Sequence, residues 1–187
     1  CLVIGGSGYL GGRLVQRLAA SGCRVRCFDV TPYAGPARVE SLVGDVRFYG
    51  DVRAACEGID TVFHTAATID LLARYRPERR RRVFDVNVLG TEHVLRACRA
   101  ARVARLVQTS SINVAMGEAV RDGDETTRLV GPGDLLDLYS ESKRLAECAV
   151  LAADSAQGLR SVALRPGGLW GPGQNSLMIV RFVEQLA

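Results

Sequence analysis

Lysine is almost missing from this chain: of 24 basic residues in 187, only Lys143 is not arginine. Positive charge is otherwise spread along the sequence, with a formal excess of +4 and one dense run, Arg79 to Arg82. That run has no interleaved aromatic residues on which bases could stack, so it reads as the solvated start of a helix, and no nucleic-acid partner is expected. Long apolar runs are missing too. None approaches the ~20 residues of a membrane span, and the chain opens on an apolar strand rather than a signal-like segment, so a soluble protein is expected. The six cysteines, Cys1, Cys23, Cys27, Cys56, Cys98 and Cys148, lack both the C-x-x-C spacing of a metal site and the density of a disulfide framework. A thiolate metal centre is thereby excluded and a reducing, cytoplasmic setting expected. Internal repeats and low-complexity tracts are also lacking.

What is present starts at the first residue. In Cys1 to Gly12, CLVIGGSGYLGG, a short apolar run ends in glycines at positions 5, 8 and 11. This reads as strand, tight turn and helix. Gly5 allows the sharp turn, Gly8 allows close approach of a ligand, and Gly11 allows the helix to lie against the strand. The free N–H groups of the helix start, backed by the positive end of its dipole, suit a pyrophosphate. An ordinary strand-to-helix turn would show the same glycines, so the remainder of the chain decides.

At 48% hydrophobic residues, a chain of this length fills one core and not two, so residues 1–187 are expected to form one domain. Leu10, Leu14, Val15 and Leu18 share a helical face that ends at Ser21-Gly22. A second strand is expected over Arg24–Val30, an irregular connection over Thr31–Gly44, and a third strand over Asp45–Tyr49. A short helix at Val52–Glu57 and a fourth strand at Thr61–His64 follow. A long helix is expected from about Arg79 to Ala101, a fifth strand over Val103–Thr109, and a helix from about Leu136 to Ala156. A sixth strand, Leu159–Arg165, precedes an amphipathic helix from about Ser176. Strands alternating with helices imply a parallel sheet covered on both faces: a Rossmann-type doubly wound α/β fold, with its ligand beyond the carboxyl ends of the strands. Nothing after Ala187 builds a second lobe over a substrate. The chain is therefore expected to be the N-terminal part of a longer protein, with the C-terminal substrate lobe largely absent.

Asp29 ends the second strand, where a carboxylate accepts hydrogen bonds from two ribose hydroxyls and repels a 2′-phosphate. Val30, Thr31 and Pro32 place no cation beside it, so NAD is expected rather than NADP. Asp51 and Val52, after the third strand, are expected at the adenine edge. Ala66 and Ala67, after the fourth, have side chains small enough for close approach, and His64 reads as a strand-end core residue. The single lysine lies four positions after Tyr139 in YSESK, on the same helical face. A cation about 4 Å away at an effective dielectric of ~20 stabilises a phenolate by roughly 4 kcal/mol, which would bring Tyr139 towards neutrality as a general acid or base. A surface tyrosine–lysine pair is the plainer alternative. Ser111, beyond the fifth strand, could hold the substrate oxygen.

Together GGSGYLG, Asp29, Asp51, HTAA (64–67), DVNVLGT (85–91), TSS (109–111), YSESK and LRPGGLWGPG (164–173) resemble the extended short-chain dehydrogenases/reductases over essentially the whole chain. Within these, TSSINVAMG and RPGGLWGPG are most similar to the 3β-hydroxysteroid dehydrogenase/isomerase family. Ala115 after Val114 departs from the sugar-nucleotide epimerase pattern, and Ile112-Asn113 from that of the dehydratases. The resemblance implies Ser111, Tyr139 and Lys143 as the catalytic triad, with Tyr139 and Lys143 also binding cofactor. It implies Gly5, Gly8, Tyr9, Leu10 and Gly11 as the dinucleotide loop, Asn87 as positioning the nicotinamide end of the cofactor site, and Pro166 to Leu169, Gly168 included, as the wall behind the nicotinamide. The helices at about Arg79–Ala101 and Leu136–Ala156 are implied as faces of a homodimer.

The expected function is NAD-dependent oxidation of a hydrophobic secondary alcohol, 3β-hydroxysteroid-like, to a ketone. The alternatives are a sugar-nucleotide epimerase that retains NAD, and a dinucleotide sensor without chemistry. The loop Asn113–Leu138 is expected to influence substrate choice.

Overall fold

Leu2 and Ile4 face one side of a sheet and Val3 the other, and all three are fully buried. The computed structural model describes residues 1–70, 73–115, 123–131 and 137–173. Its strands are β1 (Leu2–Ile4), β2 (Arg26–Asp29), β3 (Glu40–Val43), β4 (Thr61–His64), β5 (Arg105–Thr109) and β6 (Arg160–Leu164). They form one parallel sheet in the order β3-β2-β1-β4-β5-β6. The order reverses between β1 and β4, and a crevice opens there beyond the carboxyl ends of the strands.

The helices are α1 (Tyr9–Ala20), α2 (Tyr49–Ala55), α3 (Pro77–Phe84), α4 (Gly90–Ala100) and α5 (Leu138–Ala152). Helix α1 covers one face, packing Val15 and Ala19 on Val3, Val25 and Cys27. Helices α2, α4 and α5 cover the other, with Val52, Val94, Cys98 and Val150 on Leu2, Ile4, Val62 and Leu106. The buried stripe of α1 is Gly11, Val15 and Ala19, one residue per turn. Leu14 and Leu18 flank it, partly buried. No helix among the described residues is long and apolar enough to cross a membrane.

Two elements differ from the sequence expectation. The third strand is Glu40–Val43 and not Asp45–Tyr49. It pairs Glu40 with Arg26 and Val43 with Asp29, so residues from Gly44 onward already lie beyond the end of the sheet. As an edge strand it is largely exposed, which removes the apolar signature of a buried strand. The long helix starts earlier than expected, with Pro77 in its first turn, and is interrupted. Between α3 and α4, Asp85–Leu89 forms a π-helical turn, one residue wider than α. The amphipathic helix expected from Ser176 lies outside the described residues, as does much of the Asn113–Leu138 loop.

Candidate active site

The glycine loop works by close approach. Gly5 has φ +82°, and a Cβ there would stand 2.5 Å from the Ala66 amide nitrogen. At Gly11 a Cβ would strike the Gly5 carbonyl and the Thr65 hydroxyl. That hydroxyl donates to Ile4 O at 2.8 Å. The turn after β1 is thus clamped against the segment leaving β4, across the point where strand order reverses. Among the described residues, only the Gly5 carbonyl lies within 4 Å of a Cβ built at Gly8, so its free side faces open space there. Gly8 is also the N-cap of α1, and no side chain caps that helix. Uncapped N–H groups at a helix start, over a backbone with no side chain in the way, fit a pyrophosphate.

A cleft of about 520 Å³ opens in front of this loop, walled by Gly5, Ser7, Gly8, Asp29, Ala66 and Ala67 among others. Asp29 is held at its rim. Its Oδ2 accepts from the Ser7 amide at 3.0 Å, and its Oδ1 from the Thr31 amide and hydroxyl at 3.3 and 3.4 Å. Asp51 and Val52 are not part of this wall. Val52 is fully buried in the core, and Asp51 sits in the first turn of α2, accepting from the Asp45 amide at 3.1 Å. Asp45 and Val46 line the cleft instead. The chain carries Gly-Asp-Val twice, at 44–46 and 50–52, and only the register of β3 shows which copy meets the end of the sheet. The structure also brings Arg47 and Arg82 to the cleft wall, with Arg47 held by Asp45 through Nε at 2.8 Å. That pairing draws the Asp45 carboxyl below its ordinary value.

At the carboxyl end of β5, Ser111 caps the turn Ile112–Val114, its oxygen accepting from the Asn113 amide at 3.3 Å. Helix α5 begins with Asp137 as N-cap, accepting from the Ser140 amide at 2.8 Å. This places Tyr139 in the first turn, with its phenol near enough to the Ser111 side chain to feel that hydroxyl. Burial raises the phenol above its ordinary pKa, the neighbouring Ser111 hydroxyl opposes that, and the Asp137 charge adds to it. The expected effect of Lys143 is therefore not seen. Its Nζ stands 6.0 Å from the Tyr139 ring centre and donates instead to Thr109 O at 2.7 Å. Tyr139 therefore keeps its proton at neutral pH.

Burial pushes Lys143 down from its ordinary value to about 8. Below pH 8 the fold bears the full cost of an interior charge; between about 8 and the ~10.4 of an unfolded lysine, the folded side chain is neutral and the cost fades. Lys143→Met is therefore expected to raise stability at pH 7 by on the order of 2 kcal/mol, the gain shrinking towards pH 10. Urea melts at the two pH values measure this, and a variant no more stable than the parent at pH 7 would rule out a stored cost.

Asn87, in the π turn, is 2% exposed and does not line the cleft. Its Oδ1 accepts from the Thr68 amide at 2.9 Å, and its Nδ2 donates to Thr68 O at 3.0 Å and Ser142 Oγ at 2.9 Å. Both amide hydrogens are thus used, so the Asn87 side chain is spent on Thr68 and Ser142. Thr68 itself lies in the cleft wall, so this clamp links the cleft to the start of α5. Pro166 O accepts from the Ile112 amide at 3.0 Å, next to Ser111; Gly168 is exposed, with nothing within 4 Å of a built Cβ. Neither Tyr9 nor Leu10 lines the cleft. The Tyr9 ring stacks under Arg13, which donates to Pro172 O, so α1 holds the far end of the 165–173 segment. Sequence reasoning missed Glu147, fully buried on α5 and bonded to Arg165. Its signal was spacing: Tyr139, Lys143 and Glu147 succeed one another at intervals of four on one helical face.

Residues 2–187 match the model of the 3-beta hydroxysteroid dehydrogenase/isomerase family. The chain is 42% identical over 191 residues to a 3-beta-hydroxysteroid dehydrogenase of Mycolicibacterium neoaurum, covering 100% of this chain and 52% of the relative. It is 44% identical to a 3 beta-hydroxysteroid dehydrogenase/Delta 5-->4-isomerase of Mycobacterium tuberculosis, covering 94% and 48%. The chain thus spans about half the length of these curated relatives. Among solved structures, MoeE5 in complex with UDP-glucuronic acid and NAD superposes with a TM-score of 0.84 at 30% identity, covering 98% of this chain and 60% of that one.

Proposed function

The chain belongs to the 3-beta hydroxysteroid dehydrogenase/isomerase family, and from that premise we propose that it is the cofactor-binding and proton-transferring part of an NAD-dependent oxidoreductase. Its substrate is a hydrophobic secondary alcohol of the 3β-hydroxysteroid kind, oxidised to the ketone. The observation that carries this reading is the nearness of the Ser111 and Tyr139 side chains, with Lys143 buried on the same face of α5, at the same edge of the sheet as the glycine cleft. Bound NAD supplies the acceptor for the hydride leaving the carbinol carbon. The α1 N-terminus and the Gly5 to Gly11 loop, Tyr9 and Leu10 by their backbone, hold the pyrophosphate. Asp29 takes the adenosine ribose hydroxyls, Asp45 and Val46 take the adenine edge, and Ala66 and Ala67 leave room for the chain of the dinucleotide. Lys143 takes the nicotinamide ribose, which gives its buried ammonium a second polar partner beside the Thr109 carbonyl. Pro166 and Gly168 form the wall beside Ser111. In the reducing direction Ser111 holds the substrate oxygen while Tyr139 donates its proton to it; in the oxidising direction the phenol must first lose that proton.

A second reading, a sugar-nucleotide enzyme that retains NAD, is favoured by the fold shared with MoeE5, which was solved with UDP-glucuronic acid and NAD. NADH release separates the two. The protein supplied with NAD is offered 3β-hydroxysteroids, simpler ring alcohols and UDP-sugars, and NADH absorbance is followed. Steady accumulation with a steroid is the expected result; tight NAD binding without accumulation on any alcohol would transfer the assignment to the second reading.

A further inference from the structure

The π turn at Asp85–Leu89 carries Asn87, and a turn one residue wider than α is rare and occurs mostly as a single bulge inside a helix. What braces it lies on β4 and α4. Thr91 is 1% exposed and His64 2% exposed. The Thr91 hydroxyl donates to Asn87 O at 2.7 Å, and His64 Nε2 stands 3.1 Å from the same hydroxyl. Thr91 has one hydroxyl hydrogen and it is spent on Asn87, so His64 must be the donor, as the Nε2–H tautomer. Burial, with the Lys143 charge adding to it, pushes the imidazole down to about 3, so it keeps this neutral form. The far side of Asn87 follows the same logic. Ser142 donates its hydrogen to Tyr139 O at 2.7 Å and so accepts from Asn87 Nδ2. Every hydrogen in the series has one place to go. It runs from His64 through Thr91 to the Asn87 carbonyl, and from the Asn87 amide through Ser142 to the Tyr139 carbonyl.

We propose that His64 and Thr91 are positioning residues: they brace the π turn from below, and through Asn87 and Ser142 they fix Tyr139 against Ser111. The part concerning turnover rests on the reading of Tyr139 as proton carrier; the bracing of the turn does not. Thr91→Val keeps the volume and deletes the hydroxyl, Thr91→Ser restores it, and His64→Phe removes the donor from the other end. Val103→Ala, at the opposite edge of the sheet, is a control for simple loss of core packing. Amide hydrogen exchange over residues 85–89, calorimetric NAD affinity, and turnover with NAD and a 3β-hydroxysteroid are measured. Exchange is expected to quicken about tenfold or more in Thr91→Val and His64→Phe, with kcat falling by about 10–100-fold and NAD affinity little changed. Thr91→Ser restores both, and Val103→Ala moves neither. Wild-type exchange over 85–89 in a folded Thr91→Val, or a Thr91→Ser as impaired as Thr91→Val, overturns the proposal. If Thr91→Val does not fold, wild-type exchange in His64→Phe has the same consequence. Failure of the reading of Tyr139 shows elsewhere, as undiminished turnover in Tyr139→Phe, and exchange then decides on the bracing alone.

Discussion

Tyr139→Phe binds NAD with affinity close to that of the parent and turns over about 10²–10⁴-fold more slowly, the usual weight of a positioned acid or base. The substitution deletes one oxygen and leaves the ring, the α5 cap at Asp137 and the Lys143 bond to Thr109 in place. What disappears is the phenol beside Ser111, the group proposed to exchange a proton with the substrate oxygen. Affinity is read by calorimetry and turnover by NADH formation, and comparable kcat in the variant would remove Tyr139 from the mechanism. The parent should also show a direction to its pH dependence. Since burial raises the phenol, the phenolate needed for oxidation becomes more abundant as pH rises, and oxidation should quicken accordingly. Reduction of the ketone, which uses the protonated phenol, should not gain on the alkaline side.

Glu147→Ala is expected to cost about 3 kcal/mol of stability, because it empties a fully buried position and leaves the half-buried Arg165 without its carboxylate. Arg165 reaches Glu147 with Nε at 3.0 Å and Nη2 at 2.7 Å, both to Oε1, and the Glu147 side chain is 1% exposed against 22% for Arg165. In a chain of this size the loss corresponds to a fall in Tm of roughly 10 °C. The pair also ties α5 to the end of β6, where Pro166 supports the Ile112 amide beside Ser111, so turnover should fall together with stability. Glu147→Leu combined with Arg165→Met is the informative control. An apolar pair of similar volume should recover most of the loss, without the activity that depends on the placement of Pro166. A Glu147→Ala protein melting within about 2 °C of the parent, well under the shift one broken buried pair implies, would show that the pair carries no such load.

The glycine loop, the alternation of strands and helices, and the tyrosine and lysine four apart were legible because each is a local demand. Gly5 needs a left-handed φ, buried parallel strands need continuous apolar runs, and a helical face repeats every three to four residues. Which residues line the cleft beyond the third strand was not legible in the same way. Two copies of Gly-Asp-Val lie six residues apart, and an exposed edge strand carries no pattern that marks where it stops. Pairing of Val43 with Asp29 puts Asp45 and Val46, and not Asp51 and Val52, at the end of the sheet and in the cleft wall. Nor could spacing tell where the Lys143 ammonium goes. It points to the Thr109 carbonyl because β5 ends beside α5, a contact between residues 34 positions apart.

By itself, then, the sequence determined the order of elements, the glycine turn after β1, and which helical face carries Tyr139 and Lys143, since these follow from backbone sterics and periodicity within a few residues. Tertiary structure decided what each buried polar group is bonded to. Asn87 is bonded to Thr68 and Ser142, His64 to Thr91, and Glu147 to Arg165. A buried donor or acceptor must find a partner at hydrogen-bond distance, and which partner that is depends on packing between elements far apart in the chain.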